Sequence, residues 1–307
     1  MSYSTSRFKK VEKIDISNEK SIKDVFVSSP LNCVVEKSFI SNNSTSMDIP
    51  NACAVYNSNN GKHYGITTPK YGIVQNDIVF SLFETILSEL KLKPKSINIV
   101  NDGEEYIMTA GVNTSLKINK KEEDIAKEIV IRNGHNGKIG LSATLNIVRL
   151  ICTNGMVGLV PDKENSFNIR HTLAANGRFN EIIKNMTIFE DVYAKYVENV
   201  RKLSNVRITA QQIEDFLIEC VSKKSVNERD KVEYLITNGN GNSGESALDI
   251  INGYYEYLDH TEKSDDYNGL FGPDAGKKVK AYNWVKKNIM VGFKPLFLDY
   301  NQRSSHV

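Results

Sequence analysis

The sequence predicts an α+β protein: an antiparallel β-meander sheet packed on a helix, followed by a helical C-terminal region. Apolar and polar residues alternate through Glu105–Ile118 and again through residues 138–147, the period-two pattern of a strand with one buried face. Asn- and Gly-rich turn signals separate the strand-like stretches. After residue 180 the apolar positions repeat at helical spacing instead.

Three parts follow from this pattern. Residues 1–28 are polar with little periodicity, which is typical of a flexible arm or an early edge element. Residues 29–205 form the predicted α+β core domain, and residues 206–307 form the helical C-terminal region. A chain of 307 residues is long enough for one large domain or two ordinary ones.

Within the core, the first helix begins at Asn76 as N-cap, carries one apolar stripe and ends before Pro94. Asp102-Gly103 is typical of a two-residue hairpin turn. Residues 133–137 read as a tight turn, although a phosphate-contacting loop would have the same composition. The predicted strands are residues 33–40, 52–56, 63–67, 96–101, 105–118, 127–132 and 138–147.

In the helical region, Thr209 and Ser225 are predicted N-caps, the latter in a capping box with Glu228. Residues 239–244 match Gly-x-Gly-x-x-Gly but lack the preceding parallel strand of a dinucleotide site. They predict a linker with Ser243 or Ser246 as N-cap. Tyrosines between residues 254 and 257 and Trp284 could stack on bases, but their helical spacing favours packing.

Composition narrows the function classes. The apolar and charged fractions, 40% and 25%, are those of an ordinary globular protein. No apolar run is long enough to span a membrane and no secretory signal is visible, so we expect a cytoplasmic protein without membrane contact. The four cysteines and five histidines are scattered without metal-ligand spacing, so we expect no metal and no cofactor.

Charge concentrates in the middle of the chain. Residues 130–207 contain eleven cations and six anions, whereas the whole chain has a net charge of only +2. The alternation in residues 138–147 points Lys138, Ser142, Thr144 and Asn146 away from the core, and we expect them on a half-exposed sheet face. A basic stripe on a sheet can follow phosphates, but a solvated face with a chance imbalance has the same composition.

Four short stretches resemble the phage- and plasmid-borne family catalogued as domain of unknown function 932. They are Tyr71-Gly-Ile-Val-Gln75-Asn76, residues 133–137 leading to 149–155, residues 167–171, and residues 241–244 with 252–260. Asn136 departs from the family, which usually has Asp there. Members tend to occur in mobile elements beside recombination genes, so the resemblance implies a role in DNA metabolism. The β-meander on a helix is also similar, at the level of the fold, to single-strand annealing proteins of the Redβ/RecT type.

We therefore expect a protein that binds single-stranded DNA, promotes annealing or recombination without covalent chemistry, and works as a homo-oligomeric ring or filament. The expected nucleic-acid contacts are Arg132, Asn133, His135, Lys138, Arg149, Arg170, His171 and Arg178. One alternative is a protein-binding accessory factor, such as a counter-defence protein. Another is a nucleotide-modifying enzyme that uses His135, Cys152 and His171.

Overall fold

A computed structural model describes residues 10–42, 44–118, 121–149, 156–157, 166–172, 188–223, 225–260 and 273–290. It confirms the predicted α+β class, with antiparallel sheets first and helices later. The chain divides into two compact units. The first comprises Met1–Val112, Glu128–Leu145 and Ser166–Thr187, and the second comprises Asn113–Lys127, Asn146–Asn165 and Ile188–Val307.

The main sheet has seven strands among the described residues, in the order β1-β5-β6-β7-β8-β10, with β9 also paired to β8. Its strands are β1 (Val11–Asp15), β5 (Lys93–Val100), β6 (Glu105–Ile118), β7 (Lys121–Gly134), β8 (Leu141–Arg149), β9 (Met156–Val157) and β10 (Ser166–Ile169). β1 is an edge strand antiparallel to β5, and it is followed by helix α1 (Ile22–Ser28). The described part of the stretch expected to be an arm or an edge element therefore forms an edge strand and a helix.

Helix α2 (Asn76–Glu89) packs on this sheet through its apolar stripe. Phe80 lies 4.9 Å from Phe26 of α1 and 6.3 Å from Tyr106 of β6, measured between ring centroids. The predicted N-cap was wrong by one residue, since Gln75 takes that position without a side-chain cap. The side chain of Asn76 is buried instead, and its Nδ2 donates to the carbonyl of Leu31 at 3.0 Å.

A smaller sheet has the order β2-β3-β4, formed by Val35–Ser41, Asp48–Asn57 and His63–Thr67. Gln75 fastens it to the start of α2. The Gln75 amide accepts from the backbone N–H of Val35 at 3.0 Å and donates to the carbonyl of Val35 at 2.7 Å. One side chain thereby pairs with both the backbone N–H and the backbone carbonyl of Val35, which lies on an edge strand.

The prediction that one face of the meander is half-exposed is wrong in the middle of the sheet. In β6 every residue from Glu105 to Gly111 is buried, and in β8 Ser142 and Thr144 are 9% and 6% exposed. Alternation of polarity indicated two faces but not what covers them, and short hydroxyl side chains can be buried where hydrogen-bond partners are close. Lys138, before the strand begins, is exposed. The side chain of Asn146 lies outside the described residues.

The turn before β6 is longer than the predicted two-residue hairpin. Residues Asn101–Gly103 form a 3₁₀ turn in which Asn101, Asp102 and Gly103 all have positive φ. Asn and Asp tolerate this left-handed conformation better than most residues and Gly adopts it freely, so the local sequence suits the turn.

The second unit contains five α-helices in the described residues: α3 (Ile188–Asn205), α4 (Ala210–Phe216), α5 (Val226–Asn238), α6 (Ala247–His260) and α7 (Pro273–Asn288). The Thr209 hydroxyl forms the N-terminal capping box of α4 with Gln212, and the Ser225 hydroxyl caps α5. Helix α6 is central, since its residues 247–258 are all buried. No described helix is long and apolar enough to cross a membrane.

The Gly- and Asn-rich loop before α6 is closed by the chain's own carboxylate. Oδ2 of Asp249 accepts from the backbone N–H groups of Glu245 and Ser246, at 3.1 and 3.0 Å, and from two serine hydroxyls. These amides at the helix start are where a phosphate would bind, and Asp249 already occupies them. This agrees with the prediction of a linker rather than a dinucleotide site.

The packing interpretation of the tyrosines in α6 is confirmed, because Tyr254, Tyr255 and Tyr257 are all buried.

Candidate nucleic-acid interface

The loop between β7 and β8 is built by Asn136. Its Oδ1 accepts from the backbone N–H groups of Lys138 and Ile139, at 2.9 and 3.3 Å, and its Nδ2 donates to the Glu104 carboxylate at 3.0 Å. Gly137 has φ +77°, which favours glycine. The loop lies against β4, since a methyl group added to Gly65 would lie 2.7 Å from the carbonyl oxygen of Asn136.

His135, the first residue of this loop, is fully buried. Its Nε2 is 2.8 Å from Oδ1 of Asn76 and its ring stacks on Tyr64 at a centroid distance of 5.7 Å. Because the Asn76 amide nitrogen donates elsewhere, its oxygen must accept, and we assign the imidazole proton to Nε2. Nδ1 has no hydrogen-bond partner among the described residues. Burial, with a smaller contribution from His171, lowers the pKa of His135 to about 3, so the ring is neutral at pH 7.

His171 forms a second buried chain of hydrogen bonds. Its Nε2 lies 2.9 Å from Oδ1 of Asn133, whose amide nitrogen donates to the Tyr106 hydroxyl at 3.2 Å. We assign the proton to Nε2, which leaves Nδ1 to accept from the Tyr71 hydroxyl at 2.6 Å. Burial lowers the pKa of His171 to about 4 and raises the pKa of Tyr71. Both groups are therefore neutral at pH 7.

These two chains of hydrogen bonds join segments that are distant in sequence. The backbone N–H of Gly72 donates to the carbonyl of His171 at 3.1 Å, and Tyr71 forms an isolated bridge with Thr172. The end of β10 also lies against the loop before β8, because a methyl group on Gly140 would lie 2.7 Å from the carbonyl oxygen of Ile169. The 63–72, 134–141 and 166–172 segments thus meet at one end of the main sheet.

The predicted contact residues fall into four groups. Asn133, His135 and His171 are buried, so their side chains brace this junction and offer no surface to a strand. Arg132 lies 2.5 Å from the fully buried carboxylate of Glu105, which its guanidinium neutralises. Lys138 and Arg170 are exposed. The backbone of Arg149 ends β8, but its side chain, together with Arg178 and Cys152, lies outside the described residues.

The three segments of the junction expose cations, and the half-buried Glu104 carboxylate beside them accepts from Asn136 Nδ2. Lys70, Lys138 and Arg170 are exposed on the three segments that meet there, and we call these three residues the basic rim. No Asp or Glu occurs in residues 63–72, 134–141 or 166–172. Beside the rim, the Lys37 ammonium donates to the carbonyl oxygens of Pro69 and Tyr71 at 2.7 and 2.6 Å. An anion such as a phosphate would meet favourable charge here.

Sequence reasoning missed Lys70 and the partners of the histidines. Tyr71 and Asn76 stand in a stretch that carries the family resemblance, so their presence was visible but their pairing with His171 and His135 was not. Lys70 belongs to no sequence pattern that would single it out. Only the fold brings its segment against the segments of Lys138 and Arg170, which are 68 and 100 positions away. Among the described residues no group of three or more His, Cys, Asp or Glu side chains could hold a metal ion.

These features define an α+β protein with a buried Tyr-His-Asn network beneath an exposed basic junction. The family model described as Domain of unknown function (DUF932) matches residues 63–286, more than half of the chain. The chain therefore belongs to this family. No curated protein and no solved structure matched it.

Proposed function

We propose that this protein binds single-stranded DNA in the cytoplasm of its host and promotes strand annealing or recombination for a phage or plasmid. The observation that carries the proposal is the basic rim, where three segments expose cations and contain no acid. Lysine and arginine side chains that displace condensed counterions from the phosphates of a strand bind it with an affinity that falls as salt rises.

The proposed mechanism is non-covalent. Lys70, Lys138 and Arg170 bind consecutive phosphates of one strand and leave the base edges open to pair with a complement. The buried network serves this mechanism by holding the three segments together, since the Tyr71–His171–Asn133 chain of hydrogen bonds links two of them directly. Arg149 and Arg178 are proposed as further phosphate contacts on the evidence of the sequence alone. The fold-level likeness to Redβ/RecT-type proteins supports annealing as an analogy.

Self-association is the second part of the proposal, because annealing rings and filaments need contacts between copies. Large apolar side chains are exposed where strands β2 and β3 turn: Phe39 at 57%, Met47 at 71% and Ile49 at 43%. We call these three residues the apolar tip. Large apolar side chains exposed on one hairpin favour protein contacts. The same surface would equally serve the alternative function, an accessory factor that binds a host protein.

The test is equilibrium binding of a fluorescent oligothymidylate, followed by anisotropy at about 50 mM salt, where phosphate contacts are strong. The variant Lys70→Gln/Lys138→Gln/Arg170→Gln should bind at least tenfold more weakly than the wild type. The control Lys20→Gln/Lys23→Gln/Lys91→Gln removes the same charge from exposed lysines of the same unit and should bind normally. Absence of wild-type binding, or equal loss in both variants, would rule out the rim as the site.

A further inference from the structure

Helix α7 differs in charge from the other described helices of the second unit. It contains Lys277, Lys278, Lys280, Lys286 and Lys287 against a single acid, Asp274, which gives a net charge of +4. Helix α3 has equal numbers of cations and anions, while α4, α5 and α6 each have more anions than cations. Among the described helices of this unit, α7 alone has a net positive charge from its Lys, Arg, Asp and Glu residues.

One of the five lysines has an internal role. Lys278 is 1% exposed, and its ammonium lies 2.6 Å from the Asp259 carboxylate, so it neutralises a buried acid. Lys277 pairs with Asp274 on the same helix at 3.0 Å. Lys280 and Lys287 are exposed and lie two turns apart, about 10 Å along the axis at 1.5 Å per residue. We call these two residues the α7 lysine pair.

The position of Lys280 is not explained by helix capping. Cations in the last turn gain from the helix dipole, which accounts for Lys286 and Lys287, but Lys280 is in the middle of α7, where that gain is absent. Among the described residues its ammonium donates one hydrogen bond, to the carbonyl oxygen of Glu219 at 2.6 Å, which leaves two donors for a ligand.

The helix is held in a fixed orientation. Ala281 and Val285 are fully buried, and Trp284 donates from Nε1 to the Glu219 carboxylate at 2.9 Å while its ring meets Phe216 edge-on at 5.3 Å. The exposed positions of α7 are Pro273, Gly276, Lys280, Asn283, Lys287 and Asn288. These positions have cations and amides but no large apolar side chain, and the exposed acid beside them, Glu219, is hydrogen-bonded to Trp284. The face therefore suits a polyanion and not a membrane surface.

We propose that the α7 lysine pair is a second phosphate-binding surface for single-stranded nucleic acid, separate from the basic rim. The inference rests on the proposed function for the identity of the ligand. The chemistry is charge complementarity between two ammonium groups on one packed helix and a phosphate backbone. Each phosphate contact that is lost reduces the salt slope of single-strand binding by about 0.7.

Trp284 provides the readout, since it is the sole tryptophan and lies four residues after Lys280 and three before Lys287. Wild-type protein titrated with oligothymidylate should show a change in tryptophan emission that saturates with the anisotropy signal. The variant Lys280→Gln/Lys287→Gln should lose that emission change, bind roughly tenfold more weakly at about 0.1 M salt, and show a salt slope smaller by about 1.4. The control Lys223→Gln/Lys231→Gln, exposed lysines of the same unit, should behave as wild type.

The outcomes separate the two proposals. If the wild type binds and only the rim variant is weakened, the α7 inference falls and the proposed function stands. If the wild type binds no oligothymidylate, both fall. If polyglutamate changes the Trp284 emission as oligothymidylate does, the surface fits an acidic protein and the nucleic-acid assignment is overturned.

Discussion

At the scale of single residues, the histidines of the junction are structural groups held neutral by burial. A neutral imidazole can both donate and accept, as His171 does between Asn133 and Tyr71. A protonated ring would lose its acceptor and would lie buried without a counter-charge. The fold therefore depends on the proton content of two side chains.

This dependence predicts acid destabilisation. The unfolded chain binds protons on these histidines near pH 6.5, whereas the folded pKa values are about 4 for His171 and about 3 for His135. Their stabilisation is complete above pH 6.5 and is lost as the pH falls toward 4 and then 3. Each histidine adds up to about 1.4 kcal/mol per pH unit to the slope of the unfolding free energy. The unfolding free energy can be measured by urea unfolding at several pH values. Below pH 6.5 it should fall less steeply with falling pH for His135→Gln than for the wild type. An equal dependence on pH would contradict this account.

Two of the predicted contacts, Arg132 and Arg170, should respond differently to substitution. Replacing Arg132 by Met removes the guanidinium that pairs with the fully buried Glu105 carboxylate and should cost about 3–5 kcal/mol of unfolding free energy. Replacing exposed Arg170 by Met should change stability by no more than about 0.5 kcal/mol. Thermal or chemical unfolding of both variants checks this, and a stable Arg132→Met protein would show that the ion pair is dispensable.

At the scale of elements, the loop between β7 and β8 is positioned by close backbone contact. A methyl group at Gly65 would lie 2.7, 2.8 and 2.9 Å from the carbonyl oxygen, Cα and carbonyl carbon of Asn136. Gly65→Ala should therefore force the backbones apart and cost about 1–3 kcal/mol. At Gly276 in α7, by contrast, a methyl group meets nothing within 4 Å, and Gly276→Ala should stabilise by up to about 1 kcal/mol. If both variants unfold at the same denaturant concentration, the packing argument fails.

The elements also show where sequence reasoning succeeds and where it stops. Strand β6 and the N-caps Thr209 and Ser225 follow from local patterns, because period and capping are encoded within a few residues. The burial of Ser142 and Thr144 does not follow from a local pattern, since alternation shows which residues share a face but not whether other elements cover that face. The N-cap misassignment at Asn76 has the same cause: a long-range bond to His135 uses the side chain that local capping would use.

At the scale of the whole molecule, the proposal requires copies of the chain to assemble. The apolar tip should contribute to the contact, because its three side chains are between 43% and 71% exposed. Size-exclusion chromatography with light scattering should show an oligomer for the wild type and a smaller species for Phe39→Ser/Met47→Ser. A monomeric wild type with or without an oligonucleotide would count against an annealing ring or filament.

The most direct test of the central claim, single-strand binding through the basic rim, is the salt dependence of oligothymidylate affinity. The logarithm of the wild-type affinity should fall linearly with the logarithm of salt concentration. The slope for Lys70→Gln/Lys138→Gln/Arg170→Gln should be smaller by about 2, since each single-strand phosphate contact contributes about 0.7. Parallel lines for the wild type and this variant, or wild-type binding that is independent of salt, would contradict the account.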